Sequence, residues 1–324
     1  MSIGSLYLVG RSTPGPARPL PHARAAVALG LRLLAAALCG LVALTLTAVV
    51  FVLTYPGQWL DGVLLPRAER GGGYEQQTVL VGPAKTVLVA FGSPSLIAAL
   101  LGVVLLVGVL RRRLVAGAVG VGMVVGAVLL AGAVKAELPR PDLQVLSSTT
   151  HNSFPSGHVA AATALLLAFM LVLPGWARRW LAAPGAVGVS VIASATMIAG
   201  WHRFSDVLGG VLLGVTVFCL GAAALAAWSG DGDTTGGSDG GSLWRRLAEA
   251  GAGLVVLVWA LLVVVPGLAA SVQRGLLIAI VAAAASTMFL VGAVVFLVRS
   301  TEFAVRVPAP SPEPPPSTGT RNIS

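Results

Sequence analysis

Residues 111–141 read RRRLVAGAVGVGMVVGAVLLAGAVKAELPRP. Between Arg113 and Lys135 lie 21 residues without a single charge. At about 1.5 Å of rise per residue, a helix over them is about 31 Å long, the thickness of a bilayer's hydrocarbon core. It has no polar face to turn toward water, so it belongs in lipid or inside a bundle. Three arginines bound it at one end. At the other, Lys135, Arg140 and two prolines turn the chain out of the helix.

The rest of the chain repeats this grammar. Hydrophobic residues make up 56% of it, charged residues only 10%, and the mean hydropathy is +0.90, far from the roughly 25% charge of soluble domains. Eight apolar spans are expected, at 25–54, 86–110, 114–134, 159–173, 182–199, 207–228, 251–270 and 275–298. The first is too long for the apolar core of a secretory signal and no small-residue cleavage site follows it, so it is expected to be a retained helix. A net charge of +9 does not point to nucleic acid, because the cations stand between apolar runs rather than along one basic face. Cys39 and Cys219 fall within apolar spans and are expected to pack as small hydrophobes, not as a disulfide.

Arginine placement predicts the topology, since short cytoplasmic loops collect Lys and Arg. Arg11, Arg18 and Arg24, Arg111–Arg113, Arg178 and Arg179, Arg245 and Arg246, and Arg299 all fall on one side of an eight-span chain. Both termini are then expected in the cytoplasm, in a plasma-membrane protein of many passes. Arg67 and Arg70 lie on the opposite side, tempered by Asp61, Glu69 and Glu75. Residues 229–242 (SGDGDTTGGSDGGS) read as a flexible linker, and 307–324, with PAPSPEPPP, as an extended tail.

Three polar clusters interrupt the apolar chain, and all three fall on the extracytoplasmic side of that topology: KAELPRP at 135–141, NSFPSGH at 152–158 and HRFSD at 202–206. Charge at a span end is costly unless it serves a purpose. Lys135 and Arg140 can lean into one site, although Lys and Arg also snorkel at interfaces with no other role. Ser156 and Gly157 open a helix, where hydroxyl and backbone N–H groups favour an anion; a plain helix cap by Ser156 explains the serine but not His158. His202 and Asp206 are four residues apart, on one face of a helix, and a carboxylate beside an imidazole fixes its tautomer and stabilises its cation. A metal pair is the weaker alternative, because no third ligand stands at obvious spacing and neighbouring cations would repel a divalent ion. Cations, oriented donors, a nucleophile and an acid are what phosphoryl transfer requires.

In this order the clusters resemble the signature of the type 2 phosphatidic acid phosphatase and haloperoxidase superfamily: a Lys…Arg-Pro element, a Pro-Ser-Gly-His element and an Arg…His-x-x-x-Asp element. NSFPSGH is the most specific match and GWHRFSDVLGG a good one; the resemblance runs over about 86–228. It implies that His202 is the nucleophile forming a phosphohistidine, that Asp206 orients it, and that His158 protonates the leaving alcohol and later activates water. Lys135, Arg140, Ser156 and the Gly157 backbone would hold the phosphate, and no metal or other cofactor is implied. Two positions depart from the pattern. Asp142 stands where the first motif expects its Arg, leaving Arg140 for that role, and Thr196 stands where the third motif expects its Arg, leaving Arg203 as the nearby cation.

The expected fold is an all-α, polytopic membrane bundle: a cytoplasmic segment 1–24, a six-helix core 25–228, a linker 229–250, two further spans within 251–298 and a Pro-rich cytoplasmic tail 299–324. The expected function is hydrolysis of a lipid phosphomonoester or diphosphate at the outer leaflet, with polyprenyl diphosphate, phosphatidic acid and phosphatidylglycerol phosphate as family-like substrates. Membrane lipids are its surroundings, and no nucleic acid is expected as a partner. Two readings stand beside it: a lipid-linked phosphotransferase using the same residues, and a catalytically degenerate membrane protein that binds or transports.

Overall fold

The computed structural model describes residues 21–65, 78–145, 151–229, 233–234, 274–299 and 301–302. The chain there is helical: α1 (Pro21–Leu53), α2 (Tyr55–Leu64), α3 (Val81–Phe91), α4 (Pro94–Leu110), α5 (Leu114–Glu137), α6 (Gly157–Val172), α7 (Gly175–Ile198), α8 (Phe204–Ser229) and α9 (Arg274–Leu297). Among the described residues, five of these helices are long and apolar enough to cross a membrane, and α3 and α4 meet the same test only together, as a pair bent by 54°. The protein is a polytopic helical membrane protein.

Helix α6 is the axis of the bundle. From Val159 to Leu167 every residue is buried, as expected of a helix that is apolar on all sides. α5, α7 and α8 surround it, α1 lies along α8, and α9 packs on α7 and α8. The outer helices leave large apolar side chains uncovered, among them Leu31, Leu38 and Leu46 on α1 and Leu129 on α5. Lipid solvates such surfaces, so helix association in a membrane relies on close packing and hydrogen bonds instead.

Gly209 and Gly210 supply that close packing where it matters for the site. A Cβ on Gly210 would stand 2.7 Å from the Ser156 carbonyl oxygen, and one on Gly209 would enter the Phe154 ring. Only bare backbone lets the start of α8 reach the start of α6.

Several expectations change in detail. The 86–110 span is broken at Gly92 and Ser93, where Ser93 Oγ accepts from Leu96 N and Pro94 opens α4. The expected 182–199 span starts at Gly175, so Arg178 and Arg179 lie in helix α7 rather than in a loop. Arg178 is buried and donates to the carbonyls of Leu173, Val298 and Thr301, tying α7 to the end of α9. Asp233–Thr234, inside the expected flexible linker, pairs antiparallel with Thr301–Glu302. Cys219 is buried as expected, but Cys39 is exposed on α1. The expected 251–270 span lies outside the described residues.

Candidate active site

Helix α7 ends in a turn that delivers the third polar cluster. Gly200 adopts φ 72°, its N–H donates to the Met197 carbonyl, and the Trp201 N–H donates to the Thr196 carbonyl. This is the Schellman pattern, which needs a left-handed residue and therefore favours glycine. The Thr196 carbonyl also accepts from His202 N at 3.2 Å, so the turn fixes the backbone of His202 itself. Thr196 is buried, with Oγ1 donating to Ala193 O.

The next residues start α8. The Arg203 carbonyl accepts the first helical bond, from Val207 N, and the Asp206 side chain reaches back to accept from Arg203 N at 2.8 Å, capping a helix end whose first N–H groups lack helical partners. The same oxygen, Asp206 Oδ2, accepts from Ser153 Oγ at 2.5 Å and stands 3.4 Å from His202 Nδ1. At that distance the His202 contact is longer than an ordinary hydrogen bond. Arg203 Nη1 donates to Ser153 Oγ at 3.2 Å. Ser153, His202, Arg203 and Asp206 are all buried.

The second cluster closes on the third through the backbone. Ser156 N donates to the Asp206 carbonyl at 2.9 Å, and the Phe154–Pro155 bond just before it is cis. Ser156 occupies the N-cap position of α6, yet its side chain makes no cap bond; the hydroxyl is buried and has no hydrogen-bond partner among the described residues. A simple cap therefore does not account for this serine. A Cβ on Gly157 would meet no atom within 4 Å among the described residues. The first turn of α6 therefore has open space beside it.

His158 follows on that turn. Its ring lies 5.7 Å from the Trp201 ring, and His202 and Lys135 are within its electrostatic reach. A Cβ on Gly92, at the α3–α4 break, would stand 3.0 Å from His158 Nε2. Asn152 joins the second cluster to the first, its Nδ2 donating to the Leu138 carbonyl at 2.8 Å. Lys135 is half-buried near the end of α5 and Arg140 is buried beyond it. Asp142 is exposed and accepts from Gln144 N in a local turn, so it stays outside the cluster. Lys135, Ser156, His158, His202, Arg203 and Asp206 are thus gathered at one end of the bundle. Arg111, Arg113 and Arg178 lie within electrostatic reach of one another, at the start of α5 and of α7, where the Arg-rich loops were expected to share a side.

One residue has a different place from the one its sequence suggested. Asp61, expected to temper Arg67 and Arg70 on the extracytoplasmic side, is completely buried on α2. It accepts from Ser205 N at 3.2 Å and from Ser205 Oγ at 2.5 Å. Burial and the nearby Asp206 push its carboxyl up to about 7, with Ser205 and Arg203 opposing. Among the described residues no group of three His, Cys, Asp or Glu side chains could hold a metal ion.

An imidazole with a carboxylate at one nitrogen, a second histidine within its electrostatic reach, and Arg203 and Lys135 nearby are the kinds of group that attack phosphorus and protonate a leaving oxygen. No curated protein and no solved structure matches the chain significantly. A family model does match, over residues 134–229, beginning just before Lys135 and ending with α8. It spans every residue of the cluster and leaves α1 to α4 and α9 outside. What residues 134–229, the segment that carries this site, match is the model of the PAP2 superfamily.

Proposed function

We propose that this chain is an integral membrane phosphatase that hydrolyses a phosphomonoester or diphosphate of a lipid at the extracytoplasmic face. The observation that carries the proposal is the His202–Asp206 pair at one end of the bundle, with His158 and Lys135 in the same field and the family match over all four. His202 Nδ1 faces the carboxylate, which leaves Nε2 to attack. The Nε2–phosphorus bond forms as the phosphorus–oxygen bond of the ester breaks, and His158 delivers its proton to the departing alkoxide. A water molecule then gives its proton to His158 and attacks the phosphohistidine, releasing phosphate and free His202. Lys135, Arg140, Ser156 Oγ, the Gly157 backbone and Arg203 hold the equatorial oxygens, whose charge needs preorganised donors. No metal takes part in these steps.

The lipid substrate is inferred from location, since a site at a span end is reached most directly by a molecule already held in the bilayer. Polyprenyl diphosphate, phosphatidic acid and phosphatidylglycerol phosphate are the candidates. The extracytoplasmic side is inferred from the arginines at the opposite end. The test is phosphate release by purified protein in detergent with EDTA, from a panel of lipid phosphates and diphosphates, for wild type and His202→Ala. Release that disappears in the variant supports the proposal. Release that survives in the variant, or none from any lipid by folded wild-type protein, overturns it.

A further inference from the structure

Helix α2 lies outside the family match, yet it touches two of the three clusters. Thr54 caps it, accepting from Gly57 N, and Pro56 stands in its first turn. Its length of 10 residues is too short to cross a bilayer. On this short helix Gln58 and Asp61 are three residues apart, on one face, and both are buried. Gln58 Nε2 donates to the Pro141 carbonyl at 3.0 Å and to the Val52 carbonyl at 2.8 Å. Asp61 accepts both the backbone N–H and the hydroxyl of Ser205. Pro141 directly follows Arg140, and Ser205 directly precedes Asp206.

We propose that Gln58 and Asp61 are positioning residues, through which α2 clamps the Arg140–Pro141 loop and the start of α8 in one fixed geometry. The inference rests on the phosphatase reading of the site. A buried amide and a buried carboxylate are costly to leave unpaired, so each side chain specifies one place for the backbone it bonds. Asp61 also takes one of the N–H groups at the α8 N-terminus that the helix cannot satisfy itself. The two bonds fall on different parts of the reaction: Gln58 governs a loop that holds phosphate, and Asp61 governs the helix start that aims His202.

Kinetics of Asp61→Ala, Asp61→Asn and Gln58→Ala on the preferred lipid phosphate test the assignment. Misplacement of a reacting group costs up to about a hundredfold in rate. Asp61→Ala is expected to lower kcat by about tenfold or more at nearly unchanged KM, and Asp61→Asn, which keeps an acceptor for Ser205 N–H, to recover most of it. Gln58→Ala is expected to raise KM severalfold with a smaller change in kcat. A second readout does not depend on turnover. With only four histidines in the chain, imidazole NMR signals of His202, assigned by loss in His202→Gln, should shift in Asp61→Ala and return in Asp61→Asn. Should Asp61→Ala not yield folded protein, Ser205→Ala removes the same hydroxyl bond from the other side. Unmoved His202 signals in folded Asp61→Ala or Ser205→Ala protein overturn the clamp whether or not phosphate is released, as do kinetics in which Ala and Asn at position 61 are equally impaired. Shifted signals in a protein that releases no phosphate support the clamp while overturning the proposed function.

Discussion

His202 Nδ1 faces Asp206 Oδ2 at 3.4 Å across the start of α8, His202 lying just before the helix and Asp206 in its first turn. The carboxylate fixes the ring so that the other nitrogen points away, and its charge favours the imidazolium-like state formed on attack. His202→Ala and His158→Ala should abolish phosphate release while leaving expression and melting temperature close to wild type. Asp206→Asn should retain a trace, lower by about two to four orders of magnitude, as when only orientation and charge support are removed. Steady-state assay of the three variants distinguishes the roles.

Ser153 supports the same carboxylate from the other side, donating to Asp206 and accepting from Arg203. Ser153→Ala leaves a buried charge one donor short, a loss of about 1–3 kcal/mol. It should lower the melting temperature in detergent and reduce kcat, while Ser153→Thr keeps the hydroxyl and should fall between the two.

The contact of Gly210 with the Ser156 carbonyl predicts a packing phenotype. Gly210→Ala must push α8 from α6, costing about 1–3 kcal/mol by overpacking and separating the second cluster from the third. Activity should drop more than stability, because the displaced groups are Ser156 and Asp206. Parallel assays of melting and phosphate release would show the inequality.

Asp61 makes stability depend on pH. Its folded pKa of about 7 lies above the ordinary carboxylate value, so the folded state binds the proton more tightly. The resulting stabilisation is fully present below about pH 4 and is lost as pH rises through 7. Wild-type protein should melt at a lower temperature at pH 8 than at pH 5. In Asp61→Asn that decline should flatten, which thermal melts across the range would register.

Vanadate adopts the five-coordinate geometry of the phosphoryl transition state, and sites built for a transition state bind its analogues tightly. Millimolar vanadate should inhibit wild-type turnover, and binding should weaken in Ser156→Ala, since that buried hydroxyl has no hydrogen-bond partner among the described residues.

Much of this molecule could be read from its residues because lipid simplifies the code. A chain that must satisfy every backbone group in hydrocarbon forms helices, so uncharged runs such as 114–134 announced α5 within three residues of its end. The His202–Asp206 spacing anticipated their contact but not its geometry, since α8 starts only at Phe204 and Asp206 reaches back across the helix start to His202. The break at Gly92 was harder, since an apolar run looks the same straight or bent. Asp61 was invisible for another reason: a lone carboxylate at a span boundary reads as solvent-exposed, and only the return of α2 beneath α8 buries it. Ser153 and Asn152 stood in a recognised motif, but their hydrogen bonds join residues far apart in sequence. Nothing in local pattern specifies such partners.

Asp206 Oδ2 is at once a helix cap, the acceptor for Ser153 and the neighbour of His202. Enzymes commonly trade rigidity for turnover, because a strained or exposed catalytic group detracts from the fold. Here one oxygen atom serves both, so substitutions that blunt the chemistry at this position also loosen the start of α8. Losing that one atom would therefore undo the cap of α8 and the contact with His202 together.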